Sequence, residues 1–176
     1  MKAITIWQPW ADLIIRGYKT IETRSWATSY TGIIAIHAGK YRRLPHEVYE
    51  QIAEAICIGP NEYDGSWLHQ LEQGEPAHHF GAVLGTAIMG DVLPTTLKNA
   101  HHKEKALGDF TPGRYAWPLQ GARPLDSPIP AKGKQGIWNW EPPACVGCLW
   151  WRLGREEMCF RCTRYIRLAD QYTTDS

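Results

Sequence analysis

Four of the five cysteines fall in two Cys-x2-Cys pairs, Cys145/Cys148 and Cys159/Cys162, with ten residues between the pairs. Two thiolates two residues apart grip one metal ion from a single turn, and two such knuckles complete a tetrahedron. Four protein ligands leave no open position, so the pattern predicts a structural Zn2+ site held by Cys145, Cys148, Cys159 and Cys162. The spacer is shorter than the roughly 15–20 residues of a common zinc ribbon, yet it can close a compact knuckle or ribbon. Paired disulfides are the competing reading. The opening Met-Lys-Ala-Ile-Thr-Ile-Trp lacks the apolar stretch of a signal peptide, and no run of 18 apolar residues occurs. The expectation is therefore a cytoplasmic protein with no membrane partner, where thiols stay reduced and bind metal. The fifth cysteine, Cys57, closes an amphipathic stretch and reads as a buried core thiol.

The rest of the chain reads as strands broken by single helices. Ile4 and Ile6 start a short strand, and Pro9 opens a helix with Trp10, Leu13 and Ile14 on one face before Gly17 stops it. From Thr20 onward the sequence alternates, which places Thr20, Glu22, Arg24 and Trp26 on one side of a strand and Ile21, Thr23 and Ser25 on the other. Residues 32–38 form a second strand, residues 45–58 an amphipathic helix, and 67–71 a short helix within a polar loop. Further strands are expected over 81–93, 114–119 and 135–140, with the Pro/Gly-rich segment from Arg123 to Gly136 irregular. Regular strand-helix alternation, the mark of a parallel α/β sheet, is missing. The expected class is α+β and mostly β: a small mixed β-barrel with short flanking helices, its mouth the default ligand site.

Charge is segregated along the chain. Residues 1–43 carry seven Lys/Arg against two acids, whereas residues 44–81 carry seven acids and no Lys or Arg. Such blocks permit a basic face for a polyanion, though mixing after folding is equally open. Nine tryptophans must be core, interface or ligand platforms.

Three stretches carry a family signal: IWQPWADLIIRGYKTIETRSW at 6–26, YTGIIAIHAGK at 30–40, and RYAWPL with PIPAKGKQGIWNW toward the end. Together they resemble the ASCH (activating-signal-cointegrator homology) family, whose hallmark Gly-x-Lys-x-x-Glu-x-Arg stands here as Gly17-Tyr18-Lys19-Thr20-Ile21-Glu22-Thr23-Arg24. The resemblance spans about residues 2–141. It implies a PUA-like β-barrel related to domains that bind RNA or modified bases, with the Lys-x-x-Glu-x-Arg residues at a cleft. The domain organisation expected is thus an ASCH domain over 1–141 followed by a four-cysteine module and tail over 142–176.

A base-binding cleft needs a flat surface for stacking, a cation for phosphate and a carboxylate or amide for a base edge. Trp26, Lys19, Arg24 and Glu22 can supply these, and Glu22 and Arg24, two apart on one strand face, are close enough to pair. The bland reading is a surface ion pair with Trp26 capping the barrel; the resemblance favours the cleft. Lys40, followed by Arg42 and Arg43, is a candidate phosphate contact, as are Lys132 and Lys134 in their Gly-bearing loop, with solubility as the alternative. Tyr115, on one face with Trp117, is a candidate stacking ring or a core residue. His37 reads more as a half-buried histidine than as a catalytic base. Around the cysteines, five arginines, two glutamates and Trp150 and Trp151 either touch nucleic acid or pack the knuckle.

Some relatives in the family are amidohydrolases acting on N4-acetylcytidine, where the site resembles Lys-x-x-Thr with the threonine as nucleophile. Glu22 stands at the threonine position here, so direct transfer of that chemistry is a poor inference. Glu22 as general base and Lys19 as oxyanion partner form an alternative hydrolytic scheme. Other relatives are implied to be ribonucleases. The leading expectation is a nucleic-acid or modified-nucleotide binding module, RNA favoured over DNA. The alternatives are a hydrolase of RNA or N4-acylated cytidine, with Lys19 and Glu22 catalytic, and a zinc-bearing adaptor for protein.

Overall fold

The computed structural model describes residues 1–42, 44–56, 66–74, 80–97 and 100–142. The four zinc-ligand candidates and Cys57 lie outside the described residues, as do Arg43, Trp150 and Trp151. The chain divides into units over Met1–Trp140 and Glu141–Ser176, and every described strand and helix belongs to the first.

Seven strands form one mixed sheet: β1 (Lys2–Ile6), β2 (Ile21–Arg24), β3 (Gly32–Ala38), β4 (Ala82–Met89), β5 (Leu93–Pro94), β6 (Tyr115–Pro130) and β7 (Ile137–Asn139). The order is β2-β6-β4-β3-β1-β7, with β5 also on β6. Among the described residues only β1 and β3 run parallel, Ile4 opposite Ile36 and Thr5 opposite His37; the other pairings are antiparallel. Parallel neighbours need a crossover. Here it is α1 (Trp10–Ile15) followed by β2. The sheet is a curled half-barrel with β2 and β7 at its two ends, and among the described residues no strand pairing closes it into a barrel.

Alternation along the strands explains the core. Ile4, Ile6, Ile34, Ile36, Ala38, Leu84, Ala87, Met89, Trp117 and Leu119 meet beneath α1, whose Ala11 and Ile14 complete the cluster. Leu13, on the next face of α1, instead joins Tyr49 and Ile52 of α2 (His46–Ala55), Leu68 of α3 (Ser66–Gln73) and Leu107. A helix of only six residues is too short to stand alone in water, so α1 exists because both of its faces are covered. Gly17 ends it at φ +81°, where a side chain would be strained.

Two sequence expectations are corrected. Residues 123–130, expected to be irregular, are the second half of the 16-residue β6. Three prolines fit there because β2 and β5 flank only the first half of β6, and the second half pairs on one side with β4 through register shifts. An edge with bulges is where a strand tolerates lost N–H donors. Also unforeseen is α4 (His102–Ala106), a helix of five residues with no apolar periodicity long enough to read. Among the described residues, no helix is long and apolar enough to cross a membrane.

Candidate functional site

The turn after α1 delivers Lys19 into the interior rather than to solvent. Its side chain is 1% exposed. Its Nζ donates to the carbonyl of Ile21 at 2.6 Å and to that of Leu107 at 2.8 Å, and stands 3.7 Å from Glu22 Oε2. An ammonium has three donors, and each here faces an oxygen. Burial nonetheless pushes the Lys19 pKa down, opposed by the charges of Glu22 and Glu104. Glu104, on α4, clamps the same turn from the other side: it accepts from the Thr20 N–H and hydroxyl, each at 2.6 Å, and from the Ile21 N–H at 3.2 Å. Lys19 and Glu104 therefore strap the start of β2 to α4.

On β2 the expected alternation holds. Ile21 and Thr23 are buried, while Glu22 and Arg24 lie half-buried on the other face, opposite Trp117 and Tyr115 of β6. Arg24 Nε lies 3.1 Å from Glu22 Oε1, an ion pair without good hydrogen-bond alignment. Its Nη2 donates to the Thr5 carbonyl at 2.8 Å. Lys19, Glu22 and Arg24 thus form one row of alternating charge. Trp26 follows it, held edge-on to Trp117 with centroids 4.5 Å apart, while the Trp117 indole N–H donates to the Trp26 carbonyl.

This row lines a cleft of about 580 Å³. Trp7, Trp10 and Trp26 supply aromatic wall, and the rim after α4 supplies Leu107, Gly108, Asp109 and, from the turn before β6, Arg114. Trp7 is 50% exposed and carries the Arg42 guanidinium 4.2 Å over its ring. Asp109 accepts from the Thr111 N–H and hydroxyl and pairs with Arg114 at 3.3 Å; the Thr111 hydrogen bonds hold its carboxyl below the usual carboxylate range. Arg114 also donates to the Thr23 carbonyl, so the rim is tied to the floor.

The structure brings together four of the residues singled out from sequence, Lys19, Glu22, Arg24 and Trp26, around this cleft. It places the others elsewhere. Lys40, Lys132 and Lys134 are exposed on loops and are not part of the lining. Tyr115 packs against the main core beside Trp117, which is fully buried. His37 is 2% exposed outside the lining: its Nε2 bonds the Ala131 carbonyl at 3.0 Å, its ring meets Trp138 edge-on, and Gly133 presses on it so closely that a Cβ would fall 2.5 Å from Cε1. Sequence reasoning missed Glu104, Asp109 and Arg114. The Gly108-Asp109 pair signals a turn, but nothing local marks Glu104, whose partners lie 83 and 84 residues away. Among the described residues, no group of three or more His, Cys, Asp or Glu is arranged to hold a metal ion.

Comparison with known proteins gives these features a relation. The ASCH domain model matches residues 4–111, taking in the second half of β1, the Lys19–Arg24 row and the α4 strap. Activating signal cointegrator 1 of Mus musculus is 45% identical over 142 residues, covering 77% of this chain and 22% of that protein. The Homo sapiens protein of the same name is 43% identical over 71 residues, covering 37% of this chain and 12% of that protein. The chain therefore spans less than a quarter of either relative. The crystal structure of ASCH from Zymomonas mobilis aligns with a TM-score of 0.46 at 16% identity, over 81% of this chain and 87% of that one. The chain belongs to the ASCH domain family.

Proposed function

We propose that the cleft binds a single nucleobase or modified nucleoside of a nucleic acid, RNA in preference to DNA. The observation that carries this reading is the Lys19–Glu22–Arg24 row lining a cleft of about 580 Å³ with indole walls. That volume lies within the roughly 300–1,000 Å³ of small-ligand clefts. Indole rings suit base faces, and the charged row suits a base edge. Strand backbone outside the cleft finds cations at Arg42, which is exposed, and Arg114, which is partly so. The kinship with proteins named as signal cointegrators is compatible with a nucleic-acid partner. Lys19 does not serve as the phosphate clamp, because it is sealed from solvent, donates to two carbonyls and turns its charge toward Glu22; it holds Glu22 and the strand.

Hydrolysis of RNA or an acylated base is the competing chemistry. It gains less from the geometry: Lys19 is 1% exposed with two donors on carbonyls and Glu22 opposite it, and the Thr23 hydroxyl accepts from the Asp109 N–H at 3.1 Å. Fluorescence titration of the full chain with short single-stranded RNA and DNA at two salt concentrations tests the binding reading. Salt-sensitive binding that weakens about tenfold or more in Arg24→Ala is expected. The reading fails if no strand binds in a salt-sensitive way, and turnover of RNA or of N4-acetylcytidine would replace it with the enzymatic one.

We propose also that residues 142–176 form a separate module in which Cys145, Cys148, Cys159 and Cys162 hold one structural Zn2+. Its support is the ligand spacing alone. Freshly purified, reduced protein should contain about one zinc per chain. Metal-free protein of the same stability would refute it.

A further inference from the structure

Resting on the nucleobase reading, we infer that the cleft selects guanine, with Glu22 receiving the N1–H and 2-amino donors and Arg24 meeting O6. Among the described residues the cleft is lined by two carboxylates. Asp109 Oδ1 accepts from both the Thr111 N–H and hydroxyl and Oδ2 faces Arg114, so no adjacent pair of acceptor sites is left. Glu22 differs. Its Oε1 faces Arg24 and its Oε2 faces Lys19, one cation to each oxygen. Since each carboxylate oxygen offers about two acceptor sites, one remains on each oxygen of Glu22, side by side. The side chain is 12% exposed and lines the cleft.

An ionised carboxylate accepts and cannot donate. A base that docks edge-on must therefore bring donors. Guanine alone among the common bases presents two adjacent donors, N1–H and the 2-amino group, with a carbonyl next to them. Adenine and cytosine offer one amino group beside a ring-nitrogen acceptor, and uracil one N–H between two carbonyls, which the carboxylate repels. The adjoining guanine carbonyl needs a donor beside the carboxylate. Arg24 stands there, two residues on along the same strand face, and its guanidinium carries five donors of which the Thr5 carbonyl and Glu22 occupy only part. The strap formed by Lys19 and Glu104 fixes the backbone from which Glu22 projects, so the acceptor pair is preorganised.

The test uses the full chain and three uridine-tract oligoribonucleotides that differ at one central position: guanosine, inosine or adenosine. Inosine keeps N1–H and the carbonyl but lacks the 2-amino donor. Fluorescence anisotropy should show guanosine bound about tenfold more tightly than either substitute. In Glu22→Gln the guanosine oligonucleotide should lose about tenfold in affinity and the three should come within about twofold of one another. Equal binding of the three by the unaltered protein overturns guanine selection and leaves the nucleobase reading standing. A guanosine preference that survives Glu22→Gln also overturns the assignment to Glu22. Absence of salt-sensitive binding to all three removes both. If circular dichroism shows Glu22→Gln to be unfolded, the inosine and adenosine arms decide with the unaltered protein.

Discussion

Lys19 and His37 are both basic residues sealed almost completely from solvent, 1% and 2% exposed, yet the structure uses them in opposite ways. Lys19 is surrounded by acceptors and sits under an open cleft. His37 has one acceptor, and its Nδ1 has no hydrogen-bond partner. To donate to the Ala131 carbonyl, Nε2 must carry the proton, which leaves Nδ1 as the bare acceptor of a neutral ring. Gly133 then closes over it. A buried polar group marks a site when its network is complete and continues into a cavity; a histidine walled in by backbone is packing. The difference lies in what surrounds each side chain, not in its burial.

The sharpest way to break this comparison is to remove the charge at Lys19. Lys19→Met leaves Glu22 without one of its cations and two buried carbonyls without a donor, so a loss of about 3–5 kcal/mol is expected in urea denaturation. If it costs no more than His37→Gln, the distinction between the two residues collapses. A smaller effect is expected from Gly133→Ala, whose Cβ would stand 2.5 Å from His37 Cε1 and 2.9 Å from the Thr5 hydroxyl. About 1–3 kcal/mol should be lost by overpacking. Affinity for RNA should stay unchanged; a comparable loss of binding would tie the His37 pocket to the cleft.

The smallest effect is one of pH. Burial lowers the His37 pKa from its ordinary value near 6.5. The unfolded chain therefore takes up a proton at about 6.5 while the folded chain does so only at a lower pH. Within that window the unfolded state binds more protons, and stability falls as the pH drops from about 6.5 toward the folded value. His37→Gln should flatten that part of the curve, measured as the urea midpoint between about pH 7 and 5. An unchanged slope would mean that other groups set it.

Much of the cleft floor was legible from local pattern. Period-two alternation from Thr20 put Glu22, Arg24 and Trp26 on one face, and β2 observes it. The turn at Gly17 and the helix before it were equally readable, since a proline start and a glycine stop act within a few residues. Reading residues 123–130 as irregular failed for a definite reason: proline forbids a central strand but not an edge, and which half of β6 is an edge depends on where β2 ends. The candidate cations Lys40, Lys132 and Lys134 carried no information beyond charge, and the fold left them on its surface.

Local pattern was enough to set Glu22 and Arg24 of the charged row, because neighbours two apart on a strand share a face whatever the rest of the chain does. The paired cysteines, on whose spacing the zinc proposal rests, are likewise a local pattern. Long-range packing set the rest: Lys19 completes the row from the interior and is not a free cation beside it. That outcome depends on the Leu107 carbonyl and the Glu104 carboxylate, brought from more than 80 residues away by a helix of five residues. No local rule reports such a contact, because the nearby Ile21 carbonyl and Glu22 leave the ammonium open on one side until the distant Leu107 carbonyl closes it.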